Sequence, residues 1–385
     1  MRKVQKILSY ILVAALASGI TLFAADYAWS QKKISKLDQL SGLIQERFIG
    51  ESDKTAYEDA AANAMVNALG DEWSYYIPAS QLKAHQETMN NAYVGVGITI
   101  TVREEGDGFL VTKVNTGGPA EEAGMLPGDV IVEIEGQSAT GMSADAARDL
   151  VRGEANTQVN LKIQRGSDVI SMAVTRKEVL TAVATAQMLE DNIGLITIAN
   201  FDARCYEESK AAIDQLLAEG AVALMFDVRN NPGGYKDELV KLLDDLLPEG
   251  VLFRAEDYKG NVQTDQSNAD FLDLPMAVLV NGYSYSAAEF FAAALMEYEA
   301  ATVVGQQTYG KGYFQTTIYL NDGSAVGLSV GKYTTPNGKN LAGVGITPDI
   351  VIEVDEVTDA AIYAGTLEPA NDPQIQAAVK ALTAN

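Results

Sequence analysis

Val222-Ala223-Leu224-Met225-Phe226-Asp227-Val228-Arg229-Asn230-Asn231-Pro232-Gly233-Gly234 is an apolar run that ends in a polar turn with paired glycines. Six residues without polar alternation, Val222–Asp227, read as a strand buried on both faces, the style of a parallel sheet covered by helices. Upstream, a helix Glu207–Glu219 is closed by Gly220 and preceded by a second apolar strand, Ile193–Ile198. Downstream come a helix Tyr235–Leu247, a strand Met276–Val280, a helix Ser286–Glu299, a strand Thr302–Val304 and a terminal helix Pro373–Leu382. Strands alternating with helices specify an α/β core from about residue 179 to the carboxyl terminus. Gly233 and Gly234 leave backbone N–H groups accessible at a strand-to-helix junction, which suits an anion or an oxyanion, or simply a tight turn needing positive φ. Neither G-x-G-x-x-G nor a P-loop Lys-Ser/Thr pair is present, so nucleotide binding lacks its signs.

A second junction, Val280-Asn281-Gly282-Tyr283-Ser284-Tyr285-Ser286-Ala287-Ala288-Glu289, also passes from strand to helix. Ser286 and Glu289 have the Ser-x-x-Glu spacing of a capping box, which gives Ser286 a structural role. The other reading makes its hydroxyl a nucleophile at the positive end of a helix. Such a nucleophile needs a base. The single histidine, His85, sits among Gln81, Lys83 and Gln86, the texture of a solvated helix face. Lys311 is the remaining candidate. It lies in Gly310-Lys311-Gly312 with no other charged residue between Ala300 and Leu320. A lysine becomes a base only after burial lowers a pKa that is ordinarily about 10.4. Gln315 could orient the amine through its side-chain carbonyl. An exposed hairpin lysine is the plain alternative.

Between these junctions and the amino terminus the texture changes twice. Residues 92–178 carry short strands and glycine turns: Val94–Val102, Phe109–Val114, Val130–Ile134, Val159–Gln164 and Val169–Arg176, with a helix at Ser143–Val151. Residues 26–91 are helical. Ile34, Leu37, Leu40, Leu43, Ile44 and Phe48 form an amphipathic stripe that could pack on the body or on a second copy of itself. Helices at Ala56–Leu69, ending at Gly70, and Ala79–Met89 follow. At the extreme amino terminus, Arg2, Lys3 and Lys6 precede the apolar run Ile7–Ala25, the pattern of a membrane anchor or a secretory signal in residues 1–25. Either reading puts the body outside the cytoplasm, at the cell membrane or secreted.

Composition narrows the function further. The 385 residues hold 28 Lys+Arg against 52 Asp+Glu, a net charge of −24, which disfavours nucleic acid as a partner. One cysteine, Cys205, and one histidine exclude a disulfide, a multi-cysteine cluster and a multi-histidine zinc site. Cys205 reads as a buried thiol.

Two resemblances can now be stated. Gly118-Pro119-Ala120-Glu121-Glu122-Ala123-Gly124-Met125-Leu126-Pro127-Gly128-Asp129 resembles the signature of PDZ domains of the bacterial protease type. That implies a β-rich domain with two short helices, which binds a substrate's free C-terminus as an added strand. Gly95-Val96-Gly97-Ile98 would be its carboxylate loop, or else a glycine-rich start of a strand without a ligand. Over residues 35–382 the chain is similar to the carboxyl-terminal processing peptidases. The resemblance rests on the Asn-Pro-Gly-Gly turn, the Ser286 stretch, Gly-Lys-Gly 25 residues later, Tyr333–Lys339, Gly345–Asp349 and Leu69–Tyr76. It implies Ser286 as nucleophile, Lys311 as base, Gln315 as its orienting partner, and Gly233 and Ala287 N–H groups as the oxyanion hole. Neither metal nor organic cofactor is required.

The implied architecture is multidomain α+β and α/β: anchor 1–25, helical region 26–91, PDZ domain 92–178 and protease core 179–385. Tyr283 and Tyr285 stand where that family has small residues, and would narrow the substrate channel or stack on it. Ser284 is the competing hydroxyl. Two rivals accompany the peptidase reading: a non-catalytic PDZ adaptor binding C-terminal tails at the envelope, and a structural envelope protein that dimerises through its amino-terminal helices.

Overall fold

The computed structural model describes residues 35–103 and 106–384. The apolar run Ile7–Ala25 lies outside them; among the described residues no helix is long and apolar enough to cross a membrane. The chain divides into two compact units, Met1–Asp71 and Glu72–Asn385. In the first, helix Lys36–Arg47 starts on a capping box between Ser35 and Asp38 and exposes Leu37, Leu40 and Leu43. Helix Lys54–Asn67 follows, and Tyr57 Oη meets Ser41 Oγ at 3.0 Å.

In the second unit, the strands expected from the apolar runs form one six-stranded sheet. Its order is Ala184–Met188, Ile193–Ile198, Ala223–Asp227, Met276–Val280, Ala301–Gly305 and Ile350–Val351. All neighbours are parallel except the first pair. Helices Cys205–Ala218, Lys236–Leu246 and Ala287–Glu297 bury one face through Leu216, Leu243 and Phe291. Helix Pro373–Thr383 covers the other through Ile375 and Ala378. Cys205 is fully buried, and burial pushes its thiol up to about 12. It is an inert core residue.

A second, antiparallel sheet was not anticipated from sequence. Tyr75–Ile77, Ala325–Thr334, Gly250–Asp257 and Val262–Ser267 pair in that order, with Tyr313–Tyr319 also pairing with Ala325–Thr334. These strands are half-exposed, so no continuous apolar run marks them.

In the PDZ-like segment, Val94–Val102 is not one strand. Ala92–Gly95 pairs with Lys177–Leu180, whereas Ile98–Val102 pairs with Phe109–Val114 in a separate sheet. Gly97 makes the break at φ +74°, a conformation that favours glycine. The Gly-Asp of the signature has a physical purpose. Asp129, 1 % exposed, accepts the Leu126 N–H at 2.8 Å and a forked pair from Arg165 at 2.6 and 2.7 Å. That ion pair holds Asp129 below the ordinary carboxylate range despite burial.

Candidate active site

Four consecutive parallel strands deliver four loops to one end of the large sheet, the carboxyl end, where ligands bind in open α/β sheets. Ile193–Ile198 leads to Phe201 and Asp202, Ala223–Asp227 to Gly233, Met276–Val280 to Ser286, and Ala301–Gly305 to Lys311. A cavity of about 810 Å³ is lined by Ser286, Lys311, Gln315, Gly233, Tyr285 and Asp202, among others. The structure therefore brings the sequence-selected Ser286, Lys311, Gln315 and Gly233 together, although Gly233 lies 53 residues before Ser286 and Lys311 25 after it.

Ser286 and Glu289 form the capping box that their spacing predicts, but on an unusual backbone. Caps adopt extended backbone, whereas Ser286 has φ +58° and ψ −125°. A serine held there costs about 1–3 kcal/mol, a strain that persists only where its surroundings over-determine it. They do. Glu289 accepts the Ser286 N–H at 3.0 Å, and Tyr285 N–H donates to the Asn231 carbonyl at 3.1 Å. Asn230 and Asn281 lace the two turns through paired bonds of 3.0 and 2.9 Å. A sharp strand-to-helix turn that presents a serine resembles a nucleophile elbow. Gly233 packs so close that a β-carbon there would lie 2.7 Å from Ser286 Cβ and 2.8 Å from Ala287 N. Only glycine fits.

The Ser284 hydroxyl is engaged elsewhere. It is fully buried, donates to the Val228 carbonyl at 2.8 Å and accepts the Asn281 N–H at 3.0 Å. Tyr283 does not narrow the cleft, since it is 55 % exposed and its ring meets Tyr363. Tyr285 does line it.

Glu289 is the residue whose importance the Ser-x-x-Glu spacing understated. It is fully buried and accepts four hydrogen bonds: Ser286 N–H, Thr308 Oγ1 at 2.6 Å, Gly310 N–H at 2.7 Å and Lys311 N–H at 2.8 Å. One carboxylate thus ties the serine turn to the lysine loop. Burial raises its pKa, and the four donors hold the rise back. A second buried cluster fixes the glycine turn from behind. Arg229 pairs with Asp227 at 2.6 Å and Asp372 at 2.7 Å, and donates to Gln374 at 3.0 Å. The two carboxylates hold its guanidinium charged. Neither Asp227 nor Asp372 stood out in the sequence, because their partner is set by the fold.

Lys311 is held by its main chain and faced by aromatic rings. Its main chain rests on the Glu289 carboxylate, and its Nζ lies 4.3 Å over the Trp73 ring and 5.8 Å from the Tyr285 ring centroid. Trp73, Tyr285 and Tyr309 form a mutually contacting aromatic cluster. Gln315 is oriented by donation from Nε2 to Ser329 Oγ at 3.0 Å. The expected oxyanion donor at Gly233 is occupied, because its N–H points to Asn231 Oδ1 at 2.8 Å. Ala287 N–H lies at the first turn of its helix, where no intrahelical acceptor is available. His85, read as solvated, instead lines the cavity and packs beside Tyr75 with ring centroids 5.8 Å apart.

Residues 192–352 match peptidase family S41, and residues 110–165 match a PDZ domain. The chain is 31 % identical to a probable CtpA-like serine protease of Staphylococcus aureus over 90 % of its own length and 69 % of the relative. The chain belongs to peptidase family S41. It is also 31 % identical to the carboxy-terminal processing protease CtpA of Bacillus subtilis, over 92 % of this chain and 78 % of that one. Its fold matches a putative S41 protease from Bacteroides fragilis with a TM-score of 0.55, at 16 % identity, covering 90 % and 97 % of the two chains. This S41 peptidase is a serine peptidase with a PDZ domain, and the expected mixed architecture is borne out.

Proposed function

We propose that the peptidase cleaves polypeptides with Ser286 as nucleophile and Lys311 as general base. The observation that carries this reading is the strained Ser286 backbone at the floor of a cavity shared with Lys311 and Gln315. Neutral Lys311 takes the Ser286 proton as Oγ attacks the peptide carbonyl; the C–N bond then breaks, the leaving amine takes the proton back from Lys311, and water hydrolyses the resulting acyl-enzyme. For this, Nζ leaves the Trp73 face and meets the carbonyl oxygen of Gln315, whose amide nitrogen is already engaged by Ser329. Ala287 N–H is one oxyanion donor. The Gly233 N–H becomes the second once it turns from Asn231 Oδ1, each donor contributing about 3–4 kcal/mol.

The PDZ domain, bounded at about residues 92 and 178, holds the substrate's free C-terminus. Supporting this, Gly95, Val96, Gly97 and Ile98 border a groove of about 360 Å³ completed by Ile100, Ala144 and Val151. Arg152 lies at its edge over the Tyr93 ring, 4.9 Å from the centroid, and supplies positive charge for a carboxylate. Amidating the C-terminus of a model substrate is expected to lower kcat/KM by about tenfold, an energetic effect of about 1.4 kcal/mol. Equal turnover of free and amidated substrates contradicts the role of this groove. The basic and apolar amino terminus anchors the body outside the cytoplasm, and the exposed Leu37, Leu40 and Leu43 form a face for a second copy of the chain.

A further inference from the structure

Five acidic residues are buried among the described ones: Asp129, Asp202, Asp227, Glu289 and Asp372. Four of them find their partners within the chain. Asp129 has Arg165, Asp227 and Asp372 share Arg229, and Glu289 has its four donors. Asp202 differs. It is 8 % exposed, its N–H donates to Asn200 Oδ1 at 3.0 Å and its carbonyl accepts from Cys205 at 3.1 Å, yet no donor of the described residues reaches its carboxylate. Cations nearby in sequence are engaged elsewhere: Lys236 with Asp265 at 2.9 Å, and Arg204 with Glu208 and the carbonyls of Asn91 and Thr181. Burial alone, with no opposing cation, pushes the Asp202 carboxyl up to about 7. The carboxyl opens on the cavity and has no partner within the described chain, so a ligand there meets an acceptor not already engaged.

Where that partner enters is defined. Asp202 lines the same cavity as Ser286. The Phe201 backbone bonds to the glycine turn on both sides, N–H to the Gly233 carbonyl and carbonyl to the Tyr235 N–H, each at 2.7 Å. Gly233 in turn abuts Ser286, so two close backbone contacts separate Asp202 from the serine. Tyr75 and Tyr235 line the same cavity, and burial, with a smaller contribution from the Asp202 charge, raises the Tyr235 pKa.

We propose that Asp202 is the floor of a subsite that takes a lysine or arginine side chain of the substrate close to the scissile bond. A neutral donor would give one hydrogen bond and leave the charge uncompensated, whereas a cation supplies both the bond and the neutralisation. The tyrosines cover the aliphatic stem of such a side chain and offer aromatic faces to its head. The chain's charge of −24 favours approach of basic segments. This subsite rests on the peptidase reading above.

The test uses the full chain and a series of free-C-terminus peptides. Each position from the third residue before the cleaved bond to the third after it is set in turn to Lys, Arg, norleucine or Gln. At one position, Lys and Arg are expected to exceed norleucine in kcat/KM by at least tenfold, and the ratio should fall to twofold or less in Asp202→Asn. Asp202→Ser is measured alongside, so that selectivity is read on whichever variant melts cooperatively. A wild-type ratio below twofold at every position, or a ratio kept in the variants, overturns the subsite while leaving the peptidase intact. Failure of the wild type to cut any peptide counts against both readings.

Discussion

Replacing Ser286 or Lys311 with alanine is expected to lower kcat/KM on an unstructured polypeptide by about 10⁴-fold or more, as loss of a nucleophile or its base does where the two act as a unit. Melting should be almost unchanged for Ser286→Ala. The Ser286 N–H donates to Glu289 whatever the side chain, and the neighbouring Tyr285 N–H stays on the Asn231 carbonyl, so most of the turn's anchoring survives loss of the hydroxyl. The double variant should be no slower than either single one, since both remove the same proton transfer. Lys311→Arg should be as inactive as Lys311→Ala, because a guanidinium does not deprotonate near neutrality. Turnover retained at wild-type rates in any of these, measured on the same peptide, contradicts the assignment.

Glu289 should produce the largest effect on stability. Its alanine variant strands three backbone N–H groups and the Thr308 hydroxyl in a fully buried site, a loss of about 3–5 kcal/mol. Glu289→Gln keeps the volume but turns one acceptor oxygen into a donor that faces donors. At one oxygen those are the Ser286 and Lys311 N–H groups, at the other Thr308 and Gly310. Either way one of the two loops shifts. Displacement of about 1 Å between reacting groups costs about 10²-fold, so kcat should fall by that order with KM little altered. Steady-state kinetics and thermal melting separate the two effects. A folded Glu289→Gln variant with wild-type kcat removes the positioning role.

The parts of the molecule legible in sequence are those whose signal is local. Ile193–Ile198, Phe109–Val114, Val130–Ile134 and Met276–Val280 end where apolar runs end, and Gly70 and Gly220 close helices through positive φ. The antiparallel sheet escaped because strands such as Ala325–Thr334 mix glycine, serine and lysine with apolar residues. The Gly95–Gly97 break was hidden by the β-branched residues around it. At the site, Ser-x-x-Glu spacing is the same for a cap and for a strained elbow; only the sign of φ at Ser286 separates them. Glu289 bonds to residues 19 to 22 positions away, and the Lys311 ammonium lies over Trp73, 238 positions away, so both depend on tertiary structure. Asp202 carried no motif at all. Its distinction is the absence of a partner among buried acids, which exists only once the chain is folded.

The pairing of Ser286 with Lys311 is tested most directly by trapping the acyl-enzyme. Wild-type protein mixed with an activated peptide ester, quenched in acid and digested, should carry the acyl mass on the fragment containing Ser286. The adduct should vanish in Ser286→Ala and form far more slowly in Lys311→Ala, recovering as pH rises. Acylation that persists in Ser286→Ala, or that proceeds at an undiminished rate in Lys311→Ala, would contradict it.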